Sequence, residues 1–195
     1  MAGADPAADP MLDGIEQLGS SVFFAPARLE DLGRIHALEA ASYPEDEAAT
    51  REKLDMRLQR APEVFMVAMQ CPEGAAEDAD PAVVGYVCGT CTSADRLTHD
   101  SMSTHEEGPS AALLCVHSVV VEASLRRRGL ALRMLRAYVP FVRTTAPHLR
   151  TIRLICKKDL IPLYEKAGFS LVGPSDVVHG QDPWYELALE LGDGQ

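Results

Sequence analysis

The sequence predicts a single domain of the α/β class, in which helices flank a mixed central β-sheet. The chain has 195 residues, of which 47% are hydrophobic, and this is enough for one domain with a substantial core. Runs of apolar and β-branched residues alternate with segments whose apolar residues recur at helical spacing. Strands and helices intermixed in this way are typical of one mixed α/β sandwich.

The folded domain is predicted to span residues 21–195. Residues 1–20 are rich in Ala, Asp, Gly and Pro and show little apolar patterning, which predicts a flexible tail. The elements predicted for the first half are a strand at 21–27, a helix that starts near Leu29 and ends before Pro44, a helix at 50–60, and strands at 64–69 and 83–91.

The second half is organised around residues 113–144. It begins with the apolar run LLCVHSVVV at 113–121, which predicts a buried strand. Leu132, Leu135 and Tyr138 lie at helical spacing and predict a helix. The elements predicted after it are a strand at 151–156, a helix capped by Asp159, and closing strands at 169–172 and 184–191.

The turn between this strand and this helix carries the strongest chemical signal. A helix N-terminus has unpaired backbone N–H groups and the positive end of the helix dipole, so it binds phosphate readily. Gly129 lets a ligand approach the backbone closely, and Ala131 keeps the first helical turn uncrowded. The arginines at 126–128 lie in a chain of net charge -11, which indicates a local anion. From these residues alone, a solvated basic turn is an equal alternative.

Composition and charge argue against several classes of function. A pI near 4.9 disfavours non-specific nucleic-acid binding and makes the surface attractive to cationic amines. No apolar run approaches the ~20 residues that span a bilayer, so no membrane partner is expected. Five cysteines, an odd number, favour a reducing, cytoplasmic location. Cys88 and Cys91 would lie on opposite faces of a strand, and the histidines show no metal-ligand spacing, so no metal site is predicted.

Several motifs, in collinear order over residues 24–191, resemble those of the GCN5-related N-acetyltransferase (GNAT) superfamily, and within it the arylalkylamine (serotonin-type) branch. The superfamily signature is a pyrophosphate-binding motif after a buried strand. The matching segments are Arg126-x-x-Gly129-x-Ala131, DRLTHDSM at 95–102 followed by His105, DLIPLYEKAGF at 159–169, Gly173-Pro174, and WYEL at 184–187.

The resemblance implies the GNAT fold, acetyl-CoA as co-substrate and an N-acetyltransferase activity. The acceptor it favours is a small primary amine of the serotonin or tryptamine type, which attacks directly within a ternary complex. Two alternatives stay open: an enzyme that acetylates a polyamine, an amino acid or a protein N-terminus, and a sensor that binds acetyl-CoA without turnover. A monomer or weak dimer is expected.

Two residues are predicted to handle protons. His117 matches the second of two family histidines on this strand, which pass the proton of the amine to solvent, so it is the expected general base. The first histidine is replaced by Cys115, which is expected to line the same channel and leaves a covalent acyl-cysteine as a rival route. Tyr164 resembles the family tyrosine that faces the coenzyme sulfur, and is the expected general acid.

The remaining site residues follow from the same resemblance. Tyr43 and Pro44 lie in a loop that covers the amine pocket of the family, and Trp184 aligns with an aromatic residue lining that pocket, although it could equally be core. Backbone groups of the strand end and of the turn should contact acetyl-CoA. These coenzyme-binding residues are Val119, Val120, Val121, Arg126, Arg127, Arg128, Gly129, Leu130, Ala131 and Leu132.

Overall fold

A computed structural model describes residues 22–71, 80–177 and 183–192. The proposed tail at 1–20 and most of the acidic loop at 71–80 lie outside these ranges. The helices are α1 (Leu32–Ala40), α2 (Arg51–Arg60), α3 (Leu130–Thr145) and α4 (Ile161–Lys166). The strands are β1 (Val22–Pro26), β2 (Met66–Gln70), β3 (Ala82–Thr92), β4 (Leu113–Val121), β5 (Thr151–Cys156), β6 (Ser170–Pro174) and β7 (Tyr185–Glu190).

These seven strands form one mixed sheet in the order β1-β2-β3-β4-β5-β7-β6. Among them β4 and β5 are the parallel pair, and the other neighbours are antiparallel. This arrangement confirms the predicted mixed sheet with flanking helices.

The two faces of the sheet carry separate hydrophobic clusters. On one face α1 and α2 bury Ile35 and Leu54 against Tyr86 and Cys88 of β3. On the other face α3 and α4 pack against a larger cluster that includes Cys91. Cys88 and Cys91 therefore face opposite sides of the sheet, as the alternation of a strand requires, and all five cysteines are free thiols.

A β-bulge interrupts the pairing of β4 with β3 near the middle of the sheet. Cys88 pairs with Ser118 and Gly89 pairs with Val116, so His117 is the extra residue of a β-bulge. Gly89 is needed opposite this bulge, because a Cβ there would lie 2.6 Å from the carbonyl oxygen of Cys115. A bulge kinks and twists its strand, which turns the following residues away from regular pairing.

The parallel pair β4–β5 opens immediately afterwards. The two strands are in register only from Leu113–Thr151 to Val116–Leu154, although β4 continues to Val121. The backbone edge of the second half of β4 is therefore free of β5, and a wedge opens between the two strands.

Element boundaries differ from the sequence prediction at two places. Residues 62–64 form a 3₁₀ turn that begins at Pro62, so the strand predicted from residue 64 starts at Met66. Asp159 does not cap α4, because Lys158–Leu160 form a 3₁₀ turn and α4 begins at Ile161. Gly168, with φ of 100°, follows the end of α4 in the left-handed conformation that is common for a glycine at this position.

Candidate active site

A cavity of about 410 Å³ lies in the wedge between β4 and β5. Four consecutive β4 residues line it, from Val116 to Val119, and the facing wall is Leu154 to Lys157. A regular strand would turn every second side chain away, so the bulge explains how one short stretch supplies neighbouring groups. The loop after α1 and helix α2 also line the cavity, through Tyr43 and Arg57 among others.

His117 is oriented by a short chain of hydrogen bonds. Its Nε2 lies 2.7 Å from the hydroxyl oxygen of Thr90, and that hydroxyl donates to the carbonyl oxygen of Ser101 at 2.9 Å. When the Thr90 hydroxyl donates to Ser101, Nε2 of His117 carries the proton that is shared with Thr90. In that tautomer the lone pair of the neutral imidazole is on Nδ1.

Tyr164 lines the same cavity from α4. Its ring packs edge-on against Phe169, with the centroids 5.9 Å apart. Burial, with a smaller contribution from Tyr43, raises the pKa of its phenol well above the ordinary value. The hydroxyl therefore stays protonated at neutral pH, as a proton donor must.

Aromatic and charged residues form the mouth of the cavity. Lys157 donates to Glu47 at 2.8 Å and lies 4.2 Å above the ring centre of Trp184. Tyr43 and Pro44 line the cavity from the loop after α1. Burial raises the pKa of the Tyr43 phenol. The structure thus brings the three predicted amine-pocket residues Tyr43, Pro44 and Trp184 to one cavity with His117 and Tyr164.

The predicted coenzyme side adjoins this cavity at the end of β4. Val119 lines the cavity, whereas Val120 and Val121 are buried. Arg127 and Gly129 both have left-handed backbones, with φ of 63° and 78°. Successive backbone N–H groups in such a turn make an anion-binding concavity.

The start of α3 adds further donors to this turn. The first backbone N–H that donates back along the helix is that of Arg133, to the carbonyl oxygen of Gly129 at 3.0 Å. The N–H groups of Leu130, Ala131 and Leu132 precede it and have no acceptor within the helix. Arg128 is exposed beside them.

Arg126 has a different place from the other two arginines of the turn. Its Nε donates to the carbonyl oxygen of Val121 and its Nη2 to the hydroxyl of Ser42, both at 2.9 Å. The side chain therefore ties the end of β4 to the loop after α1.

Cys115 does not line the cavity, contrary to the sequence expectation. Its side chain is fully buried and packs in a cluster with Leu97, Leu113 and Val177, against which Met102 also packs. The long connection before β4 covers it, and this placement could not be seen from strand alternation. Burial raises the pKa of the Cys115 thiol to about 11, so the thiol is protonated at neutral pH.

Sequence reasoning missed three polar residues at the site. Glu39 of α1 is buried and accepts hydrogen bonds from the backbone N–H of Ala49 at 2.8 Å, from Ser118 at 3.1 Å and from the Tyr86 hydroxyl. Arg57 of α2 lies nearby, with Nη1 3.7 Å from the Cys88 sulfur. Thr90 is the third. A polar residue at an inward helical position was the only available signal for Glu39 and Arg57.

Two features are absent from the described parts of the chain. Within residues 22–71, 80–177 and 183–192 there is no cluster of three or more His, Cys, Asp or Glu side chains that could hold a metal ion. Over the same ranges, no helix has the length and apolar character needed to cross a membrane.

Comparison with known protein families gives one match over most of the chain. The model of the acetyltransferase (GNAT) family matches residues 32–169. Serotonin N-acetyltransferase of Mesocricetus auratus is 32% identical over 109 residues, which are 56% of this chain and 51% of that protein. The Homo sapiens enzyme of the same name is 29% identical over 109 residues, with the same coverage of 56% and 51%. The chain thus spans about half the length of the curated relatives it matches.

Solved structures share the fold at low sequence identity. The loading GNATL domain of CurA from Lyngbya majuscula has a TM-score of 0.69 at 12% identity, over 88% of this chain and 98% of that domain. The GphF GNAT-like decarboxylase, solved with isobutyryl-CoA, has a TM-score of 0.68 at 16% identity, over 87% and 100%. Arabidopsis thaliana NAA60, solved with acetyl-CoA, has a TM-score of 0.64 at 17% identity, over 87% and 98%.

Proposed function

Because the chain belongs to the GNAT acetyltransferase family, we propose that it transfers the acetyl group of acetyl-CoA to a small primary amine of the arylalkylamine type. The observation that carries this proposal is the position of His117, which is the bulged residue of β4 and shares one cavity with Tyr164. A proton acceptor and a proton donor on one cavity are what acyl transfer to an amine requires.

Two features support acetyl-CoA as the co-substrate. The left-handed backbones of Arg127 and Gly129 and the start of α3 direct N–H groups outward, which suits a pyrophosphate. The β4 edge that β5 leaves unpaired leads from this turn to the cavity. It offers backbone groups to an extended, amide-containing arm. Two structural neighbours were solved with coenzyme-A thioesters, one with isobutyryl-CoA and the other with acetyl-CoA.

The proposed chemistry is direct transfer, for which acetyl-CoA supplies an activated thioester. An alkylammonium has a pKa near that of lysine, about 10.4, so the amine must lose a proton before it can attack. His117, with Thr90 at its Nε2, accepts that proton directly or through water. As the new N–C bond forms and the C–S bond breaks, Tyr164 donates its proton to the departing sulfur. The second proton that the nitrogen loses on becoming an amide restores the Tyr164 phenol, so the proton taken by His117 is the one released.

An aromatic acceptor is favoured by the lining of the cavity mouth. Tyr43 and Trp184 contribute aromatic rings to the lining, and Pro44 contributes an apolar surface. The curated relatives carry the name serotonin N-acetyltransferase.

The decisive experiment measures release of free coenzyme-A thiol from acetyl-CoA with four acceptors: tryptamine, phenylethylamine, spermidine and a short peptide. Turnover with the two aromatic amines, and its loss in His117→Ala, is expected. Turnover restricted to spermidine or to the peptide would contradict the aromatic acceptor. Tight acetyl-CoA binding without turnover of any amine would favour the sensor.

A further inference from the structure

Arg57 is a buried cation with an incomplete set of partners among the described residues. Its side chain projects from α2 into the cavity, and the residue is only 6% exposed. The hydrogen bond it makes there is from Nη1 to the sulfur of Cys88, at the long distance of 3.7 Å. Its Nε is buried and has no hydrogen-bond partner in the same part of the chain. A buried, charged donor that lacks partners is costly, which makes such a group a binding site for an anion.

Two other arginines, Arg153 and Arg60, each have a carboxylate partner. Arg153 also has a buried Nε without a partner, but its Nη1 lies 2.6 Å from Glu186. Arg60, three residues after Arg57 on α2, pairs with Glu107 at 2.7 Å. Within the described ranges, Arg57 has no carboxylate within 4.0 Å.

A second cation lies on the same face of α2. Lys53 precedes Arg57 by four residues, and both line the cavity. Like charges at this helical spacing destabilise a helix. An anion bound between them would remove that repulsion.

Glu39 is a buried carboxylate on the lining of the same cavity and is an internal candidate for balancing the charge of Arg57. Its carboxylate is already held by three neutral donors, namely Ala49, Ser118 and Tyr86. It makes no contact with Arg57 within 4.0 Å, so the five N–H groups of the guanidinium remain largely without acceptors in the described structure.

The position of Arg57 relates it to the reacting amine. Arg57 touches Cys88, Cys88 pairs with Ser118 of β4, and Ser118 follows His117 directly. Arg57 and His117 also line the same cavity, so an anion bound at Arg57 would share that cavity with the nitrogen whose proton His117 accepts. In an α-amino acid, the carboxylate is attached to the carbon that carries the amine.

We propose that Arg57 binds a carboxylate of the acceptor, so that aromatic α-amino acids are acceptors beside the arylalkylamines and are used more efficiently than the corresponding amines without a carboxylate. This inference rests on the proposed acetyl transfer at the same site. The planar guanidinium fork matches the geometry of a carboxylate. A single negative charge suits the site better than a phosphate, because Glu39 lies close by.

The test compares acceptors that differ only in the carboxylate: tryptophan with tryptamine, and phenylalanine with phenylethylamine. We expect kcat/KM to be higher for the amino acid of each pair in the unaltered protein. In Arg57→Gln the ratio of amino acid to amine should fall about 10- to 100-fold, because a charge-assisted hydrogen-bond pair is lost. Arg57→Lys keeps the positive charge without the planar guanidinium. Its ratio of amino acid to amine should lie between those of the unaltered protein and Arg57→Gln.

Arg60→Gln is the matched control, because Arg60 is an exposed arginine of the same helix and points to Glu107. It should leave the ratio unchanged. An amine preferred over its amino acid in the unaltered protein would overturn the proposal. So would an unchanged ratio in Arg57→Gln with only a lower melting temperature, since Arg57 would then merely balance Glu39. A rise confined to the KM for acetyl-CoA would assign Arg57 to the coenzyme.

A binding measurement separates this proposal from the proposed activity. Trp184 is the only tryptophan of the chain and lines the cavity, so its fluorescence reports titration with phenylalanine or phenylethylamine without acetyl-CoA. Tighter binding of phenylalanine, lost in Arg57→Gln, would support the carboxylate site even if no acceptor is acetylated. Equal or weaker binding of phenylalanine would refute it, whether or not the aromatic amines turn over.

Discussion

The two halves of β4 share one strand but have different environments. From Leu113 to Val116 the strand is paired on both sides, with β3 and with β5, and every residue is buried. From Ser118 to Val121 it is paired with β3 alone, His117 is the bulged residue between the two halves, and His117 and Val119 are only partly buried. The first half is core and is called the closed half below. The second half borders the cavity and is called the open half.

The difference begins at a single residue. The bulge at His117 adds one residue to β4, and the pairing with β5 ends at Val116. An imidazole at the bulge lines a cavity, whereas a thiol two residues earlier is enclosed by Leu97 and its neighbours. The residue that reaches the cavity is therefore the one beyond the end of the β5 pairing. Membership of the same sequence motif does not bring Cys115 there.

Replacing His117 tests the open half and should have the largest effect. In His117→Ala we expect kcat to fall by about 10²- to 10⁴-fold, because the positioned proton acceptor is lost. The rate is measured by thiol release with saturating acetyl-CoA and an aromatic amine. His148→Ala, in the loop before β5, is the control and should stay within about twofold. Activity of His117→Ala at the control level would remove His117 from the mechanism.

Gly89→Ala should disturb the β-bulge that separates the two halves of β4. The added Cβ would meet the Cys115 carbonyl oxygen at 2.6 Å and Leu114 at 2.7 Å, so β3 and β4 must move apart beside the bulge. We expect the free energy of unfolding to fall by about 1–3 kcal/mol and kcat to fall about 10²-fold through misplacement of His117. Urea unfolding and initial rates measure both. Gly33→Ala, where the added Cβ has open space, is the control. An unchanged rate would show that the bulge does not position the base.

Tyr164→Phe tests the wall facing the open half. Removal of the hydroxyl should lower kcat by about 10- to 100-fold while the ring packing on Phe169 is kept. Because burial raises the pKa of Tyr164, the unaltered enzyme should show no loss of activity from phenol ionisation below about pH 10. A pH–rate profile measures this. A loss of activity between about pH 8 and 9 in the unaltered enzyme that is absent from Tyr164→Phe would contradict a raised pKa of the Tyr164 phenol.

Thr90→Val removes the hydroxyl that orients His117 and keeps the shape of the side chain. We expect kcat to fall about tenfold with little change in KM, because one hydrogen bond to the imidazole is lost. Thr90→Ser retains the hydroxyl and should restore most of the rate. The pH dependence of kcat should shift in Thr90→Val but not in Thr90→Ser. Equal rates in the two variants would mean that Thr90 has only a packing role.

Cys115→Ala tests the closed half and should have the smallest effect, below about twofold in kcat per folded molecule. The buried thiol, with its pKa raised to about 11, is protonated at about pH 8 and is a poor nucleophile. Mass spectrometry after iodoacetamide treatment at that pH should show modification of the partly exposed Cys71 before Cys115. Nearly complete loss of activity in Cys115→Ala would instead support an acyl-cysteine route.

Local patterns in the amino-acid sequence predicted most of the fold. The apolar run at 113–121 and the spacing of Leu132, Leu135 and Tyr138 correspond to β4 and α3. The motif at 126–131 led to the family, and the family match confirms that resemblance. The boundaries at Pro62 and Asp159 were wrong, because 3₁₀ turns and longer elements use the same residue types. The roles of His117 and Tyr164 stay predictions.

The sequence by itself predicted the class of the fold, the central strand and the turn after it, because each depends on residues close together in the chain. Its resemblance to the family selected His117 and Tyr164 as candidates. Only the tertiary structure decided what surrounds them. Glu39, Arg57 and Thr90 reach β4 from distant segments, and the connection before β4 covers Cys115. Whether a buried charge has a partner depends on contacts between segments, which no local pattern encodes.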